Sequence, residues 1–454
     1  MTDGEQPWTG RRLHLIGIGG AGMSGLALVA RALGAQVSGS DRAESAALRR
    51  LRDAGCEAVV GHDAANVPAD AEVVFSTAVA EDNPERAVAR TRGQRELHRA
   101  DLLAEITALR TCIAVTGTHG KTTTTSMVVH ALRGCGMDPG YLVGGEVRST
   151  GSNAGWGAGE WVVVEADESD RSLLKLHPDV AVLTNAELDH HATYASQADV
   201  DETFRAFLAR ATEAAVVWDR PELLALANGG DEGGAARKPL VVPFDVPNPS
   251  LDAQGARFDW RGIPVQLQVP GHHNALNAAA ALEAARLAGA DPAQAAAALA
   301  DFAGAGRRFE PLGATAAGAE VYDDYAHHPT EVAATIAAAR TLRPERVVAV
   351  FQPHLYSRTR ALARDFGRAL AAADLVVVVD VYEARERPQD FPGVDGKLIA
   401  DAAADAAGGR TVAWLPRFDD AERFLRAQLR AGDLCLVMGA GDVDQLGRRL
   451  GGAP

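Results

Sequence analysis

Short apolar runs alternate with alanine-rich stretches along the whole chain, and this alternation constrains the fold more than any other feature. The apolar runs have the length of buried strands, about four to eight residues, and the stretches between them are long enough for helices. Parallel strands need a crossover between them, and that crossover is usually a helix. The sequence therefore predicts an α/β protein with mostly parallel sheets.

The alternation starts anew three times, which predicts three domains. A length of 454 residues agrees with this number, because domains average roughly 150 residues. We place the domains at residues 1–108, 109–312 and 313–454, with hinges near residues 109 and 312. Residues 229–238 are rich in glycine and charge and are predicted to form a loop within the second domain. The predicted strands cover residues 13–18, 36–40, 58–60 and 73–76, then 112–116, 161–164, 180–183, 214–218 and 240–242, then 347–351, 375–379, 411–415 and 434–438, and helices are predicted over residues 86–107 and 271–289.

The charge balance limits the partners. Sixty acidic residues against 45 basic ones give a net charge of -15, so we expect neither a nucleic acid nor a membrane as partner. No apolar run reaches the roughly 18 residues of a bilayer span, and the first residues are acidic and polar, unlike a signal peptide. Cys112 and Cys435 lie in apolar runs, so buried reduced thiols are expected. We expect a cytoplasmic protein that is a monomer or a weak homodimer.

A glycine motif follows the first predicted strand and opens an apolar helix. Its residues let a pyrophosphate approach backbone amides at a helix N-terminus; they are Gly17, Gly19, Gly20, Ala21 and Gly22. Ser40 and Asp41 end the second predicted strand, and Asp41 stands nineteen residues after Gly22, where a ribose-binding acid would lie. Taken alone this pattern suggests NAD, although many such turns only serve packing. We interpret it as a site for a nucleotide diphosphate, and the motif alone does not identify the nucleotide.

A second glycine loop follows the strand at residues 112–116. It consists of Gly117, Thr118, His119, Gly120, Lys121, Thr122 and Thr123. The glycines let backbone N–H groups curl around an anion, Lys121 can reach the β- and γ-phosphates, and a threonine hydroxyl can bind Mg²⁺. The spacing departs from a full Walker A motif, because Val115 stands where the first glycine belongs. With only four lysines in the chain, a lysine here by chance is improbable, and the loop predicts ATP binding.

Carboxylates and imidazoles follow two strands of the same block. Glu165 begins a cluster of acidic residues after one strand, and Asp189 and His190 follow the next. Carboxyl ends of parallel strands meet at one edge of a sheet, where such groups can bind Mg²⁺. The two adjacent histidines, His190 and His191, also suggest zinc as an alternative metal. Further candidate polar residues after strands or on helices are Asn274, Asn277, Arg308, Asp323, His327 and Arg358.

Together these motifs resemble the Mur ligases, in the family's order and over residues 13 to about 442. The matching segments are Gly-Thr-His-Gly-Lys-Thr-Thr at 117–123, Glu-Ala-Asp-Glu-Ser-Asp at 165–170, Asp-His at 189–190, Gly-His-His-Asn-x-x-Asn at 271–277, Gly-x-x-Arg-Arg-Phe at 304–309, Asp-Asp-Tyr-x-His-His-Pro-Thr-Glu at 323–331 and Phe-Gln-Pro-His at 351–354. The resemblance implies a Rossmann-like N-terminal domain for a UDP-sugar, a central P-loop-type ATPase and a Rossmann-like C-terminal domain for an amino acid. It is closest to the alanine-adding branch, whose substrates are UDP-N-acetylmuramate, L-alanine and ATP.

The resemblance also implies a role for each candidate residue. The loop at 117–123 would bind phosphates with Lys121 as a catalytic residue, and the Gly17–Gly22 motif with Ser40 and Asp41 would hold UDP rather than NAD. Thr122 and Glu165 would bind one Mg²⁺ and His190 a second. The remaining implied contacts are Asn274, Asn277, Arg308 and Asp323 with the nucleotide, and His327 and Arg358 with the incoming alanine.

Two departures from the family's pattern concern these roles. Some members carry arginine where this chain has Leu355, so Arg358 would bind the alanine carboxylate alone or with a substitute. Several sister ligases use a carbamylated lysine after the Asp-His motif, and this chain has no lysine between Lys175 and Lys238. That absence is expected for the alanine-adding branch.

The implied reaction forms an acyl phosphate on the sugar's carboxylate, which the amine of alanine then attacks. Either His190 or His327 is expected to help remove the amine's proton. The alternatives are a murein-recycling ligase that joins a preformed tripeptide to the same sugar, an NAD-dependent dehydrogenase, and a nucleotide-sensing protein without catalysis. The dehydrogenase would leave the loop at 117–123 without a function, and a sensor would need no metal-binding acyl-transfer site.

Overall fold

The computed structural model describes residues 6–229 and 238–452. Their contacts divide them into two compact units. One unit comprises the described residues of Met1–Ala186, Ala198–Asp245 and Ala280–Ala298, and the other those of Glu187–Gln197, Val246–Ala279 and Leu299–Pro454. The predicted loop at 229–238 lies, apart from its two end residues, outside the described residues. The domain boundaries near residues 109 and 312 stay predictions.

The first unit begins with a five-stranded parallel sheet in the order β3-β2-β1-β4-β5. Its strands are β1 (Arg12–Ile16), β2 (Gln36–Asp41), β3 (Glu57–Val60), β4 (Glu72–Phe75) and β5 (Glu96–His98), and its helices are α1 (Ala21–Ala32), α2 (Ala46–Asp53), α3 (Pro84–Thr91) and α4 (Arg99–Thr107). The prediction of one helical stretch over residues 86–107 is wrong, because β5 divides it. Gly93 takes a left-handed conformation after α3, and Leu97 of β5 is buried between charged neighbours that hide the strand in the sequence.

A seven-stranded sheet completes the first unit, in the order β12-β11-β10-β6-β9-β7-β8. Its strands are β6 (Thr111–Thr116), β7 (Gly140–Val147), β8 (Ser152–Trp156), β9 (Trp161–Glu165), β10 (Val180–Leu183), β11 (Ala214–Trp218) and β12 (Leu240–Phe244), and its helices are α5 (Lys121–Gly134), α6 (Gln197–Leu208) and α7 (Pro221–Asn228). All neighbours pair in parallel except the β7–β8 hairpin. The sequence analysis did not predict this hairpin, whose glycines and polar residues lack an apolar run.

The two sheets of the first unit are joined through α1 and the β7–β8 hairpin. Asn153 donates its side-chain Nδ2 to the carbonyl of Ala21 at the start of α1, at 2.7 Å. A Cβ at Gly25 would lie 3.3 Å from the Cβ of Ala154, so this glycine lets the helix approach the hairpin closely. The helix that follows the first glycine motif is thereby fixed to the sheet that carries the second.

The second unit contains a small antiparallel sheet and a six-stranded sheet in the order β16-β17-β21-β18-β19-β20. The small sheet consists of β13 (Ser250–Asp252), β14 (Gly255–Trp260) and β15 (Ile263–Leu267). In the chain it is followed by α8 (His272–Leu287), which belongs to this unit up to Ala279, and by α9 (Pro292–Ala298), which belongs to the first unit. The larger sheet consists of β16 (Glu310–Ala314), β17 (Glu320–Asp324), β18 (Arg346–Phe351), β19 (Leu375–Val378), β20 (Thr411–Trp414) and β21 (Asp433–Met438), with α10 (Pro329–Thr341), α11 (Tyr356–Leu370), α12 (Gly396–Ala406), α13 (Phe418–Gln428) and α14 (Asp444–Gly451). Only β16 pairs antiparallel in it.

The two faces of the six-stranded sheet are covered by separate apolar cores. Phe351 and Phe366 pack in one core, and Val350 and Val437 in the other, all without appreciable solvent exposure. Because both faces are buried, the central strands are continuous apolar runs, which is why the sequence predicted them closely. Cys112 and Cys435 are buried and unbridged on β6 and β21, as predicted. Within the described residues, no helix has both the length and the hydropathy that a membrane crossing needs.

Candidate active site

The loop between β6 and α5 has the backbone of an anion-binding turn. Gly117 has φ of +134° and Gly120 has φ of +81°, both in the region that glycine favours. A Cβ at Gly117 would lie 2.1 Å from the Oγ1 of Thr184, so the position also excludes any side chain. Asn185, two residues after the end of β10, accepts the N–H of His119 on its Oδ1 at 2.9 Å. The neighbouring strand end therefore fixes the loop's shape.

Lys121 opens α5 and lies among carboxylates. Its Nζ donates to the carbonyl oxygens of Gly117 (2.6 Å) and Thr118 (3.0 Å) and lies 2.9 Å from a carboxylate oxygen of Glu168. Burial by itself lowers the pKa of Lys121, but Glu168, Glu165 and Asp167 more than offset this, and the pKa lies above its usual value. The lysine is therefore a buried ammonium directly beside the loop.

Thr122 and Glu165 meet at the same sheet edge, as predicted. The Thr122 hydroxyl donates to Glu165 at 2.9 Å, and the backbone N–H of Gly144 donates to the same carboxylate at 2.7 Å. A hydroxyl and a carboxylate on a strand end are hard oxygen donors of the kind that Mg²⁺ prefers. These two residues fit the metal that the sequence analysis expects.

The first glycine motif forms a tight turn between β1 and α1. Gly17 has φ of +74°, and the N–H of Gly19 donates to Asp41 Oδ2 at 2.8 Å. A Cβ at Gly19 would lie 2.5 Å from Leu48, whereas the Cβ position of Gly20 is in ordinary contact distance of its neighbours. Asp41 therefore stabilises the glycine turn by accepting a backbone N–H, a structural role that the sequence analysis did not predict.

Ser40 belongs to a buried polar network that sequence reasoning missed. Its hydroxyl donates to Glu85 at 2.5 Å, and the Nδ1 of His62 lies 2.8 Å from the same hydroxyl. Glu85 is fully buried and also accepts the side chain of Asn66 at 2.8 Å. Burial raises the pKa of Glu85, but the hydrogen bonds, with His14 and Ser40 first, lower it to about 2. The only sequence signal is a helix start at Asn83-Pro84-Glu85, which says nothing about these distant partners.

Arg99 is a second residue that the motifs did not indicate. Its Nη2 donates to Asp167 at 2.7 Å and to Asp170 at 3.1 Å, in the acidic segment after β9. A Cβ at Gly22 would lie 3.8 Å from Arg99 Nη1. Burial raises the pKa of Asp167, while Arg99 and Lys121 hold it well below its usual range. Arg99 thus joins the first glycine motif to the acidic segment.

In the second unit, Asp189 and Arg358 form a buried ion pair. The guanidinium donates Nε to Oδ1 at 2.8 Å and Nη2 to Oδ2 at 3.0 Å, and each side chain is 3% exposed. The backbone N–H of His190 donates to Asp189 Oδ1 at 2.7 Å, and His190 has φ of +51°, unusual outside glycine. The predicted metal ligand His190 and the predicted alanine contact Arg358 are therefore bound to one carboxylate.

His327 lies in a cluster of rings beside this pair. Its ring is 5.3 Å from that of Tyr325 and 6.2 Å from that of His354, between centroids. Burial lowers the pKa of His327 to about 4 and that of His354 to about 3, with nearby cations adding to the effect. Leu355 is 5% exposed, has φ of +70° and directly precedes α11.

The remaining predicted residues have structural partners of their own. Asp323, at the end of β17 and fully buried, accepts Arg307 Nε at 2.9 Å, whereas Arg308 donates to Glu331 at 3.3 Å. Sequence analysis selected Arg308 and did not predict the bond between Arg307 and Asp323. Asn274 and Asn277 lie three residues apart on α8, and Asn277 Nδ2 donates to Asn274 Oδ1 at 3.4 Å.

Three family models match consecutive parts of the chain. They are described as Mur ligase family, catalytic domain, over residues 12–111; Mur ligase middle domain, over residues 115–285; and Mur ligase, glutamate ligase domain, over residues 307–441. The three matches follow one another along the chain and together cover most of the sequence.

The chain belongs to the Mur ligase family. The UDP-N-acetylmuramate--L-alanine ligase of Rubrobacter xylanophilus is 46% identical to it, over 97% of this chain and 99% of that relative. Among solved structures, the UDP-N-acetylmuramate-alanine ligase of Thermotoga maritima has a TM-score of 0.80 at 29% identity and covers 97% of this chain and 98% of its own. A murein peptide ligase from Psychrobacter arcticus has a TM-score of 0.70 at 25% identity, covering 98% of both chains.

These similarities agree with the sheets described above. The chain has the three-domain α/β Mur ligase fold with mostly parallel sheets, as the sequence analysis predicted. The first unit contains the Lys121 loop, Thr122 and Glu165, and the second contains the cluster of His327, Asp189 and Arg358. The roles of these residues in a Mur ligase remain predictions that the geometry now makes specific.

Proposed function

We propose that the chain is an ATP-dependent ligase that joins L-alanine to the carboxylate of UDP-N-acetylmuramate, in the synthesis of peptidoglycan precursors. The observation that carries this proposal is the buried ammonium of Lys121 in a glycine loop, next to the Thr122–Glu165 pair. Full-length relatives named UDP-N-acetylmuramate--L-alanine ligase support the choice of substrates.

The chemistry explains why ATP is needed. A carboxylate does not react with an amine, because its leaving group would be oxide or hydroxide. Transfer of the γ-phosphoryl group to a carboxylate oxygen gives an acyl phosphate and ADP. The amine of L-alanine then attacks the acyl carbon, the amide bond forms, and phosphate leaves with that carboxylate oxygen. No covalent bond to the enzyme is required.

The first unit would bind the phosphates and the sugar nucleotide. The N–H groups of the loop at 117–123 and the Lys121 ammonium would neutralise the charge on the transferring phosphoryl group. Thr122 and Glu165 are the residues here that would hold Mg²⁺, which supplies further positive charge at the phosphates. The UDP part would lie on the turn from Gly17 to Gly22, with Ser40 and Asp41 supporting it from the end of β2.

Other residues are proposed to contact the adenine, the rest of the nucleotide and the amino acid. Asn274 and Asn277 offer amide groups on one helix face that suit an adenine edge, and Arg308 and Asp323 are the further nucleotide contacts in this proposal. His190 would hold a second Mg²⁺. The cluster around His327 and Arg358 would bind L-alanine.

Proton removal from the amine has two candidate bases, His190 and His327. The pKa of His327 is lowered to about 4, so its ring is neutral at pH 7 and keeps an acceptor nitrogen. A neutral imidazole can accept the amine's hydrogen bond and hold the nitrogen for attack. A base with so low a pKa is a weak one, and His190 remains the other candidate.

Phosphate release is the test of this function. The protein is incubated with ATP, Mg²⁺ and UDP-N-acetylmuramate, and L-alanine, glycine, L-serine or L-alanyl-γ-D-glutamyl-meso-diaminopimelate is added in turn. We expect phosphate only when the sugar nucleotide and L-alanine are both present. Release with the tripeptide alone would favour the recycling ligase, for which the likeness to a murein peptide ligase is the supporting observation. No release with any acceptor would contradict ligase activity.

A further inference from the structure

We propose that Asp189 is a positioning residue that sets the guanidinium of Arg358 for the carboxylate of the incoming amino acid. The inference rests on the proposed ligase function and extends it to a residue without an assigned role. Its basis is the buried pair that joins Asp189 to Arg358 and to the turn at His190.

The orientation of the guanidinium follows from its hydrogen bonds. A guanidinium is planar and has two edges that each suit a carboxylate, Nε with Nη2 and Nη1 with Nη2. Asp189 occupies the first edge with two bonds, at 2.8 and 3.0 Å. Nη1 lies on the second edge, 3.2 Å from Nδ1 and 3.3 Å from the carbonyl oxygen of His354, whereas no carboxylate of the described residues is bonded to it. Asp189 therefore determines which edge of Arg358 is left for a second carboxylate.

The charges in the cluster point to the same residue. Burial lowers the pKa of both His327 and His354 far below 7, so both rings are neutral at pH 7. Leu355 adds no charge at the position before α11. Arg358 lowers the pKa of both imidazoles and lies 3.2 Å from the His354 ring, whereas Arg385 acts on His354 alone of the two. The amino-acid carboxylate is therefore best neutralised at Arg358.

Asp189 also ties this contact to the His190 turn. The same Oδ1 that accepts Arg358 Nε accepts the N–H of His190, whose φ of +51° costs about 1 kcal/mol or more for a residue with a Cβ. Removing the negative charge of Asp189 therefore has two expected effects. It loosens the guanidinium, and it weakens the hydrogen bond that supports the turn.

A matched control pair exists in the same unit. Arg346 donates Nε to Asp433 Oδ1 at 2.9 Å and Nη2 to Asp433 Oδ2 at 2.6 Å, with Asp433 buried. The atoms that pair are the same as in the Asp189 pair, although Arg346 is 25% exposed and Arg358 only 3%. The control pair lies at the first residues of β18 and β21, the opposite end of the strands from Gln352 and the segment before α11. Its loss tests what removing a bidentate ion pair does to the fold alone.

The experiment compares L-alanine with L-alaninamide, which has the same amine but no carboxylate. The full chain, D189N, R358K, the double variant and D433N are assayed for kcat and KM with each acceptor, at saturating ATP and UDP-N-acetylmuramate. We expect the unchanged protein to prefer L-alanine by about 100-fold in kcat/KM, because a charge-assisted contact is lost with the amide. In D189N and R358K we expect this preference to fall by about tenfold or more, mainly through KM for L-alanine.

The double variant should retain as much preference for L-alanine as R358K alone, because both substitutions disrupt the same bidentate ion pair. D433N should keep the full preference, even if it is less stable. A preference in D189N equal to that of the unchanged protein would overturn the inference. If D189N does not fold, D189E decides, because the added methylene shifts the guanidinium and an undiminished preference would again overturn it. Failure of the unchanged protein to use L-alanine would instead contradict the proposed function.

Discussion

Lys121 is bound on one side by loop carbonyls and on the other by Glu168, and this arrangement keeps an ammonium charged inside the protein. In our account that charge is used on the phosphates of ATP. K121A should therefore lower the rate of phosphate release by about 10²- to 10³-fold, the usual cost of removing one preorganised charge contact. Lys397 is the control, since its side chain is half exposed and pairs with Asp401 on one helix face. K397A should keep the full rate; equal losses in both variants would contradict the role of Lys121.

His327 gives a prediction about pH. Because its pKa is lowered to about 4, the ring stays neutral from pH 5.5 to 8, and its protonation cannot shape the rate in that range. H327Q should therefore lower kcat/KM for L-alanine and leave the shape of the pH profile unchanged. The profiles of both proteins are measured with L-alanine as the varied substrate. An ionisation between pH 6 and 7 that disappears in H327Q would show that His327 titrates during turnover.

The residues that sequence reasoning found and missed differ in a physical way. Glu165 ends an apolar strand and begins an acidic run, and Lys121 and Thr122 follow another apolar strand through a glycine turn, so the local sequence indicates all three. Glu85 and Arg99 carry no such mark. Their partners are far away in the chain, as with Arg99 and Asp167, and only folding brings the charges together. Sequence could therefore predict the residues at strand ends, but not the buried network that supports them.

At the scale of elements, the turn from β6 into α5 depends on one glycine. G117A would place a Cβ 2.1 Å from Thr184 Oγ1 at a φ of +134°, so both overpacking and backbone strain oppose it. We expect a loss of roughly 2 to 5 kcal/mol in the free energy of unfolding, measured by urea denaturation. Gly136 is the control: it has φ of +73°, and no described atom lies within 4 Å of its Cβ position. G136A should lower the free energy of unfolding by about 1 kcal/mol. An equal loss in G117A and G136A would contradict the argument that the Cβ at position 117 is overpacked.

Strands were predictable where both faces are buried. The runs at 112–116, 180–183 and 434–438 coincide closely with β6, β10 and β21, because such strands are apolar throughout. The strands that were missed include β5, the β7–β8 hairpin, the sheet of β13 to β15, and β16 in the segment interpreted as a hinge. These are short or partly exposed, as in β14, where buried and exposed residues mix, and no long apolar run distinguishes them from loops. Their pairing is set by tertiary contacts rather than by local pattern.

For the whole molecule, partly buried imidazoles predict how stability varies with pH. The pKa values of His273, His327 and His354 are lowered to about 4, 4 and 3. Between about pH 4 and the ordinary histidine value near 6.5, the unfolded chain binds protons that the folded chain does not, so stability falls as pH falls. Asp323 and Asp324 oppose this, because burial raises the pKa of both carboxyl groups, that of Asp324 to about 6. Burial also lowers the pKa values of His98 and His191, so the histidines outnumber these two carboxyl groups.

The urea midpoint should therefore decrease from pH 7 to pH 5. H273Q removes one of the partly buried imidazoles and should make this decrease smaller, while H177Q, at an exposed histidine, should leave it unchanged. Both variants are compared with the unchanged protein at three pH values. A midpoint that stays constant or rises toward pH 5 would contradict the neutral state of the buried rings.

The central claim is that the carboxylate of UDP-N-acetylmuramate is phosphorylated before the amide bond forms. The most direct test uses UDP-N-acetylmuramate with both oxygens of its carboxylate labelled with ¹⁸O, together with ATP, Mg²⁺ and L-alanine, and analyses the released phosphate by mass spectrometry. We predict one ¹⁸O atom in each phosphate, since the bridging oxygen of the acyl phosphate leaves with it. Phosphate without label, at the same yield, would mean that ATP is cleaved by water and would contradict the mechanism.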